Sequence, residues 1–170
     1  MWGAVVLAAM GAGWDVRTRR IPNWLSYGGI LSGTLLHCGV GGWLGAREAL
    51  AGGLIAGGVF FLFFLVRGMG AGDVKLITAV CCWSGLRQAW IILFATALAG
   101  GGLAVIYMTW YGRVGRTLGN IGILTRFHLT RGLHPHPEIN LENARSIRMP
   151  YGVAIASGSL CALGLSLQGG

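Results

Sequence analysis

The chain has 170 residues, of which 54% are hydrophobic and only 11% charged, whereas an ordinary soluble domain is about a quarter charged. Its mean hydropathy is +0.65, which places it in a bilayer and excludes a water-exposed enzyme or binding module. The net charge of +8 does not point to nucleic acid, because the basic residues sit in short loops between apolar runs, the pattern of membrane topology.

Six apolar segments follow along the chain, at residues 2–14, 24–40, 46–66, 74–83, 89–111 and 151–167. They predict an all-α polytopic membrane bundle of about six transmembrane helices, formed as a single domain over residues 1–170. The first segment has no basic residue ahead of it, so it reads as a retained membrane helix and not a cleaved signal. Pro22 opens the second segment, at a position where proline suits a helix's first turn. The first and fourth segments fall short of the roughly 20 residues a span requires. To cross, each must run past one charged residue, Asp15 in the first case and Asp73 in the fourth. The 31 glycines fit a bundle whose backbones pack closely.

Lysine and arginine set the orientation. With the N-terminus outside, Arg17, Arg19, Arg20, Arg67, Lys75, Arg113, Arg116, Arg126, Arg131, Arg145 and Arg148 all fall inside, and only Arg47 and Arg87 fall outside. This asymmetry predicts six spans with both ends outside. Five spans with one re-entrant segment are the alternative, with the ends on opposite sides. The long inner connection, residues 112–149, carries Leu118, Ile121, Leu124 and His128 at helical spacing among arginines. This predicts a basic amphipathic helix in the interface; an irregular basic loop is the plainer reading. Glu142, three residues before Arg145, reads as a local ion pair.

None of Cys38, Cys81, Cys82 and Cys161 forms a C-x-x-C pair, so no zinc ribbon is expected. The run His134-Pro135-His136-Pro137 offers two histidines in an extended loop, too few for a metal site. No metal and no cofactor is expected.

Asp15 and Asp73 are the only aspartates, and both adjoin membrane segments. A carboxylate at a membrane helix is expensive and is a candidate functional group by default. At about 1.5 Å per residue, Asp15 lies roughly 20 Å and Asp73 roughly 17 Å from the outer side. The two therefore share a depth near the inner edge of a core about 30 Å thick, where water has access. Two carboxylates brought together cannot both ionise freely, so the pair holds one proton between them. The charged member can deprotonate a water while the protonated one polarises a peptide carbonyl, which is the chemistry of aspartic proteolysis. Taken singly, each has an ordinary reading: Asp73 as a helix cap and Asp15 as an ion-pair partner of Arg17 or Arg19.

Three stretches sharpen the choice. Asp15-Val16-Arg17-Thr18-Arg19-Arg20-Ile21-Pro22-Asn23 comes first. Gly70-Ala71-Gly72-Asp73-Val74-Lys75-Leu76 is a G-x-G-D motif. Pro150-Tyr151-Gly152-Val153-Ala154-Ile155-Ala156 opens the last segment. In this order on a six-segment frame, the chain resembles the type IV prepilin peptidases of the G-x-G-D aspartyl protease family over essentially its whole length. The resemblance implies that Asp15 and Asp73 are the catalytic pair. It further implies that a prepilin is cut on the cytoplasmic side of the bacterial inner membrane, after a basic leader and before an apolar helix. Larger members of the family also methylate the new N-terminus and carry an insertion with paired C-x-x-C motifs. This chain shows neither feature, so it resembles the short, peptidase-only type found with Flp/Tad pilus systems.

The remaining motif residues have shaping roles in this reading. Gly70 and Gly72 let the backbone bend and a substrate strand approach Asp73. Lys75 pairs with Asp73 or anchors at the interface. Pro22 and Asn23 fix the loop after Asp15, and Pro150, Tyr151 and Gly152 open the last helix; Tyr151 doubles as an aromatic-belt residue. The partners expected are a prepilin substrate and membrane lipid, with no nucleic acid; a homo-oligomer is compatible with the sequence. The rival readings are a proton-coupled transporter component using Asp15 and Asp73, a scaffold subunit without catalysis, and a G-x-G-D protease that cuts within the membrane. A transporter more typically shows internal repeats and midplane sites, and neither is visible here.

Overall fold

A computed structural model describes residues 1–65, 69–112, 115, 119–120, 122–124, 126–127 and 149–168. Its main elements are α1 (Trp2–Thr18), α2 (Asn23–Leu65), α3 (Ala71–Ser84), α4 (Leu86–Trp110) and α5 (Tyr151–Gln168), with no strand among the described residues. Three of them, α2, α4 and α5, are long and apolar enough to cross a membrane. The protein is thus an all-α membrane bundle. Most of the interfacial segment expected around Leu118, Ile121 and His128 lies outside the described residues, as does the whole of 134–137; residues 122–124 and 126–127 are helical.

The second and third predicted segments run into one another as α2, 43 residues long. At about 1.5 Å per residue a straight helix of that length would measure roughly 65 Å, twice a bilayer core. It is not straight. Gly42, at φ 60° and ψ −148°, breaks the helix in a conformation that only glycine adopts cheaply. The chain reverses there, because both limbs of α2 meet the same stretch of α3. Gly29 and Gly57 face Ala79 and Thr78, while Gly33 and Gly52 face Trp83 and Gly85. The five main helices among the described residues thus form six limbs, with the connection expected between residues 40 and 46 replaced by a break at one glycine.

Local chemistry sets the other ends. α1 closes on Arg19 in the left-handed region (φ 54°), whose amide donates to the Asp15 carbonyl at 2.9 Å. That closure is usually left to glycine. α3 ends at Gly85 (φ 78°), whose amide donates to the Cys81 carbonyl at 2.9 Å, and α4 starts at once.

The core sits around α3. Leu76, Ile77, Ala79, Val80 and Cys81 are fully buried, and α3 touches each of the other four helices. At 14 residues, α3 is about 21 Å long and stops short of a bilayer's hydrocarbon width. Glycines on both limbs of α2 let it fit. A Cβ at Gly33 would lie 2.9 Å from the Trp83 nitrogen, and one at Gly53 would lie 3.1 Å from the Thr78 carbonyl oxygen. Close backbone approach of this kind is how membrane helices associate when lipid is as apolar as the side chains.

Gly33→Leu should therefore lower the stability of the detergent-solubilised protein by about 1–3 kcal/mol, the usual cost of overpacking. Gly58→Leu, where a Cβ would meet nothing within 4 Å, should leave it unchanged. Thermal unfolding of the two variants beside wild type checks the pair.

Candidate active site

Asp15 lies in the last turn of α1 and is 7% exposed. Its Oδ2 accepts a buried hydrogen bond of 2.9 Å from the backbone amide of Gly152, at the start of α5. Asp73 is the third residue of α3, whose N-cap is Gly70 in an extended conformation (φ −79°, ψ 146°). The Asp73 amide donates to the Gly70 carbonyl at 3.2 Å, and its carboxylate turns back onto the Gly70 backbone amide. A third-position acid reaching back to the N-cap amide is one half of a capping box. Asp15 and Asp73 lie within electrostatic reach of each other, and Tyr151 lies within reach of Asp73.

One helix end and two helix starts thus converge: the C-terminal turn of α1 and the N-terminal turns of α3 and α5. The arrangement brings together the three stretches singled out in the sequence. Gly152 packs so closely on α1 that a Cβ there would lie 3.1 Å from the Ala12 Cα. Gly72 faces Ile21, with a Cβ position 3.2 Å from the Ile21 Cβ, which brings the start of α3 against the α1–α2 connection. A Cβ at Gly70 would lie 3.1 Å from the Asp73 Oδ2, so any side chain there would crowd the carboxylate.

Lys75 does not take Asp73 as its partner. Its Nζ donates to Asn23 Oδ1 at 3.0 Å and sits 5.1 Å from the centroid of the Tyr27 ring. It ties the start of α2 to α3, two residues past Asp73. Asn23 enters through that contact, and Pro22 just ahead of it accepts the Ser26 amide at 3.4 Å. Tyr151 packs edge-on against Phe60, with centroids 6.0 Å apart. Its hydroxyl end lies over Gly100 of α4, where a Cβ would overlap it. Pro150 accepts the Val153 amide at 3.2 Å as α5 begins.

The sequence reading missed Ala12, Phe60 and Gly100. Ala12 lies three residues ahead of Asp15 and one face along the helix, a relation that spacing alone can flag. Phe60 and Gly100 belong to distant helices and carried no such signal. A shared proton on this pair would let one group act as base and the other as acid.

The described residues define a membrane helix bundle in which two carboxylates come within electrostatic reach at helix ends. Comparison with known proteins places it further. The model of the type IV leader peptidase family matches residues 2–105, a range that includes both aspartates. The chain belongs to that family. Over 55 residues it is 42% identical to a prepilin leader peptidase/N-methyltransferase of Dichelobacter nodosus. That stretch is 31% of this chain and 19% of the relative, so the match spans about a fifth of the relative's length. No solved structure matches the chain.

The bond between Lys75 and Asn23 is exposed, so it should contribute little: about 0.5–1 kcal/mol of coupling. In a double-mutant cycle with Asn23→Ala and Lys75→Ala, the two losses should be less than additive by that amount. Thermal unfolding of the four proteins reads the coupling directly.

Proposed function

We propose that the protein is a membrane aspartyl endopeptidase that removes the leader peptide from type IV prepilins, with Asp15 and Asp73 as its catalytic pair. The observation that carries this reading is the convergence of the two carboxylates at helix ends, in a chain of the type IV leader peptidase family. The charged member of the pair takes a proton from a water, which attacks the scissile carbonyl carbon. The protonated member gives its proton to the carbonyl oxygen. Collapse of the tetrahedral intermediate breaks the C–N bond, the new amine takes a proton, and the pair returns to its starting state. Neither a metal nor a covalent intermediate is needed for this cycle.

The finer parts of the reading rest on sequence. The charge asymmetry of the loops supports a cytoplasmic side for the pair, and the resemblance supports a multi-pass protein of a bacterial inner membrane. The lack of paired C-x-x-C motifs favours a peptidase-only enzyme of the Flp-pilus type. An apolar cleft of about 590 Å³ beside the pair supports a substrate that continues as an apolar helix. Phe60, Phe63, Met69, Phe94, Gly101 and Tyr151 are among its walls. Tyr151 and Met69 are chain neighbours of Gly152 and Gly70, the residues that hold the two carboxylates.

Co-expression with a prepilin should give leader removal, read as a mass loss, for wild type. Asp15→Ala and Asp73→Ala should each abolish it while inserting normally into the membrane. Processing by either variant at more than about a hundredth of the wild-type rate would remove that residue from the pair, since general acid–base catalysis contributes about 10²–10⁴-fold. Chelators should leave activity intact, and the new N-terminus should carry no methyl group.

Gly101→Leu fills the cleft from α4 at a position where a Cβ meets nothing within 4 Å. It should raise KM for a prepilin about tenfold or more, the worth of a few apolar contacts, with the fold unperturbed. Equal KM for variant and wild type would move the substrate's helix to another face.

A further inference from the structure

We propose that the backbone amide of Gly152 is the positioning group for Asp15, and that the carboxylate pair is assembled only when the start of α5 is docked on the last turn of α1. The inference rests on the reading of Asp15 and Asp73 as the catalytic pair and adds how that pair is held.

The two aspartates are not equally provided for by their own helices. Asp73 stands in the first turn of α3, the end at which free backbone amides and the helix dipole favour a carboxylate. Its partner, the Gly70 amide, is three residues away in the same turn. Asp15 stands in the last turn of α1, where free carbonyls and the negative end of the dipole disfavour one. In the last turn of α1 the one side chain of opposite charge is Arg17. The start of α5 supplies the opposite polarity in trans. Tyr151 and Gly152 are the first residues of that helix, so their amides have no partner one turn back. Pro150 just before them has no N–H to offer. The Gly152 amide is the one that reaches Asp15, at 2.9 Å in a buried contact 137 residues apart in the chain.

The residue must be glycine for a reason other than helix propensity, which would favour alanine. A Cβ at 152 would sit 3.1 Å from the Ala12 Cα, 3.1 Å from the Asp15 Cβ and 3.2 Å from the Asp15 Oδ2. The Ala12 Cα is main chain and cannot rotate away. The Asp15 side chain is the part that can yield, and yielding carries it off the line to Asp73. Small displacements of a reacting group are costly, with about 1 Å worth about 10²-fold in rate.

The test uses the full-length protein and a prepilin substrate. Gly152→Ala should lower kcat about 10- to 100-fold, with KM within about twofold of wild type. Gly152→Val should lower kcat further. Gly164→Ala, on the same helix where a Cβ would meet nothing within 4 Å, should match wild type. A wild-type kcat for Gly152→Ala, or a loss confined to KM, overturns the proposal. Should the alanine variant fail to fold, the bond is read in the unmutated position by NMR. Carbonyl-labelled tyrosine with nitrogen-labelled glycine selects Gly28, Gly112 and Gly152, which follow Tyr27, Tyr111 and Tyr151. The Gly152 amide signal should move on Asp15→Asn and move less on Asp73→Asn; an amide indifferent to Asp15→Asn overturns the proposal. If Asp15→Ala still processes prepilin, the catalytic reading itself fails. If Asp15→Ala is inactive and Gly152→Ala is fully active, only the positioning proposal fails.

Discussion

The structure depends on the fit of one short helix among longer ones. α3 is fully enclosed through Leu76, Ile77, Ala79, Val80 and Cys81, yet it has only 14 residues and reaches about two-thirds of the way across a bilayer core. It fits because α2 folds back at Gly42 and offers glycines from both limbs, so that backbone meets backbone. In lipid there is no hydrophobic gain from bringing apolar helices together, and close packing must supply the adhesion. The same short helix carries Asp73 in its first turn, beside the last turn of α1 and the first turn of α5.

That placement resolves an electrostatic problem. A carboxylate at membrane depth needs water, a partner or an oriented dipole. Here backbone supplies the dipoles. The first turn of α3 serves Asp73 and the first turn of α5 serves Asp15. Lys75, two residues past Asp73, is engaged with Asn23 and the Tyr27 ring. A cation on two neighbouring carboxylates would favour ionisation of both, and the proposed chemistry needs one of them protonated. The bond to Asn23 turns Lys75 away from Asp73 and braces α2 against α3.

Much of this was legible from the residues. Apolar runs and their lengths gave the segments, since a bilayer imposes one length scale on every spanning helix. Depth along α1 and α3 put Asp15 and Asp73 at one level, because rise per residue is nearly constant in a helix. The break at Gly42 in place of a loop was not legible, because residues 39–46 contain four glycines and a glycine cluster is equally a loop. The partner of Lys75 was missed because Asn23 is 52 residues away, and an asparagine after a proline reads first as a helix start. The Gly152 amide could not have been found at all by side-chain reasoning, since every residue but proline carries the same donor. Only the fold decides which of these donors is left without a carbonyl.

The residues shared with the family and the residues that complete the site are not the same set. The family model covers residues 2–105, which hold α1, α2, α3, most of α4 and both aspartates. The amide that receives Asp15 lies at 152, in α5, beyond that range. α5 packs on both α1 and α4, with Tyr151 wedged between Phe60 and Gly100. Its docking therefore fixes the start of the helix against two elements of the matched region at once. Two acids within the matched region make a chemistry available. The distance and direction between them are set by a backbone group on a helix that the matched region does not contain, so Asp15 and Asp73 become a pair only in the whole bundle.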